Sequence, residues 1–388
     1  MPQAFKGCLK AFDAAAAMAA AVKEVFPEAA AHVLPMADGG DDTLDVLMAA
    51  EAGRPYSALV QGPRGEPVKA LWGVLGDGRT AVIEMAQASG IRLLAPEQRD
   101  PRVTSTYGTG QLIAAALEAG YRSLLVGVGG SATVDAGTGA LTALGVRFLD
   151  ANGRELAPGG ASLARLARID TAKLDQRARR ATIRVACDVN MTLCGPRGSW
   201  RFAAQKGADE SASHELEAAL EHFARVVTEQ LGIDLRFLPY GGPAGGLAGG
   251  LHAFLGASLE PGAELVLEAG GWGKLLPTAD LVLIGEGMID ANTFRGKGPG
   301  KVASMAQRAG VPVIAIAGQI AQDAPELAAQ GIVEVQTLLP YAASEADACA
   351  KAGELVHRAT VDALRRWQSR DGAKGPHRAR DPRQGEQR

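Results

Sequence analysis

Five short loops rich in glycine or acid, at residues 35–43, 104–110, 127–139, 187–195 and 285–300, each follow an apolar run or open a helical one. That alternation narrows the choice of fold sharply. A short continuous apolar run reads as a strand buried on both faces, and sheets of such parallel strands keep their ligands at the carboxyl ends. The clearest case is 279–303, ADLVLIGEGMIDANTFRGKGPGKVA. Residues 281–284 read as a strand that stops at Gly285. Gly285, Glu286, Gly287, Asp290, Arg295 and Lys297 then fall in a loop, and a helix follows from Val302. Two carboxylates and two cations among glycines suit a phosphate with its metal: glycine lets the backbone approach closely, and free N–H groups at a helix start attract anions.

The chain has 388 residues, 47% of them hydrophobic, which is enough for roughly two or three domains with full cores. A net charge of -3 gives no electrostatic case for nucleic acid or an anionic membrane, and 5% aromatics argue against a stacking platform for single strands. Cys8, Cys187, Cys194 and Cys349 are scattered with no CxxC, so reduced thiols in a cytoplasmic setting are the simplest expectation. No apolar run approaches the ~20 residues needed to span a bilayer, and the N-terminus lacks a signal-peptide pattern.

Along the chain, Asp13 is placed to cap an Ala-rich helix that Pro27 ends, and 30–34 reads as a strand leading into PMADGGDDT and a helix over 44–50. A helix that opens the chain with no strand before it is odd for this fold, so a first strand is expected upstream of Met1. Residues 57–61, 68–74 and 80–85 read as antiparallel strands joined by tight turns. The α/β pattern then returns, with strands at 124–128, 146–149 and 182–186 and a long helix over 215–231. From 279 the chain resembles its opening: strand, loop, helix, a strand at 313–317 and a final helix over 345–367. The expected architecture is a discontinuous Rossmann-like α/β domain, 1–56 with 276–370, and an inserted α/β domain, 57–275. The polar, basic segment 371–388 is expected to be disordered.

Several such loops in one chain suggest a cleft that holds a small anionic substrate and a phosphate donor. GKGPGK at 296–301 is one residue short of a P-loop and lacks its Ser/Thr. Gly127, Gly129 and Ala132, with Asp150 further on, fit the spacing of a dinucleotide fingerprint. Ser131, Thr133, Asp135, Gly137 and Gly139 nonetheless prolong a loop where that fingerprint needs its helix, so an NAD-dependent oxidoreductase is the lesser reading. Asp188 directly follows an apolar strand, where a carboxylate is partly desolvated and can accept a hydroxyl proton during phosphoryl transfer. Asp38 in ADGG has glycines beside it that favour close ligand approach. Lys6 and Lys206 can neutralise carboxylate or phosphate, although a lone lysine is more often solvated.

Taken together, FKGCLKA (5–11), PMADGGDDT (35–43), GPRGEPVKALWG (62–73), IEMAQASG (83–90), TYGTGQLI (106–113), VGGSATVDAGTGALTALG (128–145), RVACDV (184–189), QKGAD (205–209), GGPAGGLAGGL (241–251), DLVLIGEGMID (280–290) and VPVIAIAGQI (311–320) resemble the bacterial type-I glycerate kinase family. The resemblance implies a two-domain α/β fold and ATP-dependent phosphorylation of D-glycerate, commonly at the 2-hydroxyl, with Mg²⁺ and no covalent intermediate. It gives Asp188 the general-base role. Lys6, Asp38, Gly39, Gly40, Ser131 and Asp135 would line the glycerate side. Gly285, Glu286, Gly287, Asp290 and Lys297 would serve the nucleotide, with Asp290 at the metal. The chain departs from the family pattern where Val134 replaces Asn, Ala136 replaces Gly and Met288 replaces Arg. Losing an Arg beside a phosphate loop removes a bidentate donor, which leaves a ligand-binding member with impaired catalysis as the alternative. A homo-oligomer is left open.

Overall fold

A computed structural model describes residues 1–370 apart from 6, 41, 51, 292 and 296. The expectation for 371–388 therefore lies outside the described residues. The chain divides into two compact units, residues 1–37 with those from 266 onward, and residues 38–265. These joints differ from the 56/57 and 275/276 read from sequence. The helix Thr43–Ala50 packs on the second and third strands of the inserted unit, which draws the residues around it into that unit.

The inserted unit carries β1 (Arg54–Gln61), β2 (Pro67–Val74), β3 (Thr80–Glu84), β4 (Ser123–Gly127), β5 (Arg147–Leu149), β6 (Arg168–Asp170), β7 (Thr182–Cys187) and β8 (Ser258–Pro261). Its main sheet runs β1-β2-β3-β4-β7-β8. β1, β2 and β3 pair antiparallel as expected, and β3, β4, β7 and β8 are mutually parallel. β4 and β7 are apolar because both faces are covered: Leu124, Val126, Ile183 and Val185 all lie in the same core. The helix Glu210–Leu231 joins that core through Leu216, Ala219, Leu220, Phe223 and Val227, a stripe at helical spacing. Its ends are set locally. The Asp209 carboxylate accepts the Ala212 N–H at 2.8 Å, and Gly232 closes the helix at φ 73°. The short β8 was not evident from sequence.

The discontinuous unit is built on β9 (Val282–Ile289), β10 (Val313–Ile320) and β11 (Ile332–Thr337), all parallel in the order β11-β10-β9. Successive residues of β10 serve opposite faces. Val313, Ala315 and Ala317 join a core with Val302 and Ala306 of the helix Gly298–Arg308, and Ile314 and Ile316 join one with Met18, Leu355 and Val356. The sheet is thus covered by helices on both sides, the doubly wound arrangement expected.

Several local expectations are corrected. β9 does not stop at Gly285; pairing continues through Glu286–Ala317 and Ile289–Ile320, so Gly285, Glu286 and Gly287 are strand residues. The following helix begins at Gly298, with Pro299 in its first turn, four residues before the expected start. Residues 30–34 form no strand. The edge of β9 is occupied by the chain start instead: Gln3 N–H bonds Gly285 O at 2.8 Å, and Met36 reaches only Pro2 O, also at 2.8 Å. Lys10, rather than Asp13, occupies the N-cap of the first helix, Ala11–Val25, and Asp13 lies in its first turn. The last helix is two, Glu345–Ala350 and Ala352–Arg370. β11 also went unread. Finally, Cys8 and Cys349 form a disulfide, their Cα atoms 4.8 Å apart across a separation of 341 residues. This replaces the reading of four reduced thiols, since no spacing rule reaches that far. Cys187 and Cys194 stay free and buried, and burial raises both thiols, Cys194 to about 12.

Candidate active site

The parallel strands of the inserted unit end together, and four segments gather there. β7 runs out at Cys187 into Asp188, which is half-buried. Beside it, β4 opens into the loop that holds Ser131 and Asp135. The ADGG turn lies across both strand ends. A Cβ on Gly39 would collide with Ala186 O of β7, one on Gly129 with Gly40 Cα, and one on Gly262 with Asp38 O. Gly129 N–H also bonds Gly39 O at 2.8 Å. The glycines permit this closeness, and Asp38 is thereby carried to the end of the strand that leads into Asp188. The Asp38 side chain accepts its own turn's Gly40 N–H at 3.3 Å.

Glu84, at the end of β3, completes the frame. It is buried, and its Oε2 accepts the Leu44 N–H at 2.9 Å, fixing the helix that follows the ADGG turn. Sequence reading passed over Glu84, although an acid between Ile83 and Met85 in an apolar strand was the available signal. Ser131 is half-buried, and its backbone pairs with Gly90 across the loop. Asp135 is fully buried; its two oxygens accept Thr106 N–H, Thr106 Oγ1–H, Gly137 N–H and Gly139 N–H at 2.8 to 3.2 Å. Burial raises the proton affinity of this carboxyl against those four bonds. The structure therefore gives Asp135 the task of holding the loop, where sequence suggested a contact to substrate. Lys6 lies outside the described residues.

Lys206 is placed where sequence gave it little weight. It is 7% exposed, and its ammonium bonds Thr133 O at 2.7 Å. Burial lowers its pKa to about 8, against the opposing pull of the carboxylates of Asp188 and Asp135.

The second group of expected residues lies in the discontinuous unit. Glu286 is buried within β9 between Gly285 and Gly287. Asp290, just beyond the strand, accepts Thr293 N–H at 2.9 Å and stands 3.6 Å from Lys297 Nζ. Lys297 is the N-cap residue of Gly298–Arg308, whose first N–H groups open beside it. Among the described residues, no three His, Cys, Asp or Glu side chains gather into a metal-binding cluster.

The dinucleotide reading fails on geometry. After Gly127 no helix begins until Thr138, and Asp150 is committed to its own turn, accepting Asn152 and Arg154 N–H. Across the sequence, residues 1–368 match the glycerate kinase family. The glycerate kinase of Bacillus subtilis strain 168 is 45% identical over 362 residues, 93% of this chain and 95% of that protein. The chain belongs to the glycerate kinase family. The glycerate 2-kinase of Escherichia coli K12 is 43% identical over 339 residues, 87% of this chain and 89% of its own length. A crystal structure assigned as glycerate kinase 2 from Salmonella typhimurium LT2 superposes with a TM-score of 0.81 at 40% identity, covering 95% of this chain and 97% of that one. As a member of the glycerate kinase family the chain is a phosphotransferase. The match extends over both sets of loops described above.

Proposed function

We propose that the chain transfers the γ-phosphoryl group of ATP to the 2-hydroxyl of D-glycerate, giving 2-phospho-D-glycerate and ADP, in the cytoplasm and in the breakdown of organic acids. The observation that carries this reading is Asp188 at the open end of β7 with the ADGG turn packed on the same strand. Phosphoryl transfer asks a protein mainly for positioning and electrostatics, plus a group that takes the hydroxyl proton. Asp188 takes that proton. Lys6, Asp38 and Ser131, with the backbone of Gly39 and Gly40, hold glycerate, Lys6 facing its carboxylate. Gly285, Glu286, Gly287, Asp290 and Lys297 serve the nucleotide, with Lys297 neutralising phosphate. A single carboxylate, Asp290, fits a Mg²⁺ ion that arrives on the ATP phosphates, because such ions keep water and phosphate as most of their ligands. When bound, that ion neutralises phosphate charge.

The test is ADP release with ATP, Mg²⁺ and D-glycerate, with L-glycerate as control and enolase added to tell 2- from 3-phosphoglycerate. Release that depends on D-glycerate, with a product that enolase consumes, is the expected result. Asp188→Asn should keep glycerate binding and lower kcat by about 10²–10⁴-fold, the usual worth of base assistance. Near-normal turnover in that variant removes Asp188 from the mechanism.

A further inference from the structure

Lys206 is a buried cation with too few partners of its own. An ammonium offers three N–H donors, and among the described residues this one makes a single hydrogen bond, to Thr133 O. Burying such a group is costly unless opposite charge stands nearby. Two carboxylates face it: Asp135, from the loop after β4, and Asp188, from the end of β7. Asp135 already accepts four hydrogen bonds from its loop and from Thr106. Asp188 is thus the carboxylate whose charge the ammonium complements. The tether to Thr133 also ties the 204–207 turn to the loop after β4, the neighbour of β7 in the sheet.

A base that must stay ionised while a substrate carboxylate and a triphosphate approach needs a compensating cation, because added negative charge raises its proton affinity. We propose that Lys206 is a positioning residue for phosphoryl transfer, its ammonium keeping the Asp188 carboxylate ionised and oriented toward the glycerate hydroxyl. This rests on the reading of Asp188 as the base.

The experiment is a profile of kcat against pH at saturating ATP and D-glycerate for wild type, Lys206→Met and Lys206→Arg. Wild type should lose activity at alkaline pH, with a midpoint at about 8 or above, as the ammonium deprotonates. Lys206→Met should lower kcat by about tenfold or more, lack that alkaline fall, and move the acid limb up by about one pH unit, with both KM values nearly unchanged. Lys206→Arg, which stays charged, should keep the wild-type acid limb and lose the alkaline fall. A drop in kcat with both limbs unmoved makes Lys206 merely structural. A raised glycerate KM at constant kcat makes it a ligand of the substrate carboxylate. Either result overturns the proposal. If neither variant folds by circular dichroism, a wild-type profile that stays flat up to pH 10 overturns it, and an alkaline fall supports it. Wild-type protein with no D-glycerate-dependent ADP release at any pH is a separate outcome, which removes the proposed function itself and this inference with it.

Discussion

At Gly39 one side chain's worth of space decides the geometry of the site. Its φ of 93° lies in the left-handed region, and a Cβ would meet Ala186 O. Gly39→Ala is therefore expected to lower unfolding stability by more than about 1 kcal/mol in urea titrations, and to raise the KM for glycerate as the ADGG turn lifts from β7. An unchanged KM would mean that the turn does not set the substrate site. The same scale separates two acids that look alike in sequence. Asp135 and Asp188 each follow an apolar strand in a glycine-bearing loop. One is consumed by four hydrogen bonds and the other stands beside a buried ammonium. Loop composition cannot tell these fates apart, because they depend on Thr106 and Lys206, which come from segments distant in sequence.

Among elements, legibility followed periodicity. The helix Glu210–Leu231 has an apolar stripe and both end signals, and it was read nearly whole. The strands β3, β4 and β7 were read because burial on both faces makes them uniformly apolar. The misses share a cause. Residues 285–289 look like a loop because of Gly285 and Gly287, and only their pairing with β10 makes them a strand. β8 and β11 are likewise defined by their neighbours more than by composition. Residues 30–34 carry the opposite error: apolar enough for a strand, they find the edge of β9 already paired with Gln3. One element-scale test uses a cap. Asp209→Ala removes the acceptor of the Ala212 N–H and should cost about 1 kcal/mol in the urea midpoint. Asp209→Asn should recover most of that loss. Equal losses in both variants would assign the stabilisation to charge rather than to the hydrogen bond.

On the scale of the molecule, no helix among the described residues is long and apolar enough to cross a membrane. The disulfide is the one covalent feature that the sequence hid. A cross-link that closes so long a loop restricts the unfolded chain, and its removal typically costs about 2–5 kcal/mol. The melting temperature should accordingly fall in reductant, and Cys8→Ser without reductant should reproduce the fall. An identical melting curve with and without reductant would show that the link carries no stability. The same link joins the first turn of the chain to its penultimate helix, with the whole inserted unit between them. From residue 8 to residue 349 the oxidised backbone is a closed covalent ring. A protease that cuts one exposed loop inside that ring opens it without releasing a fragment, so a nicked molecule still unfolds, migrates and is counted as one until its sulfurs are reduced.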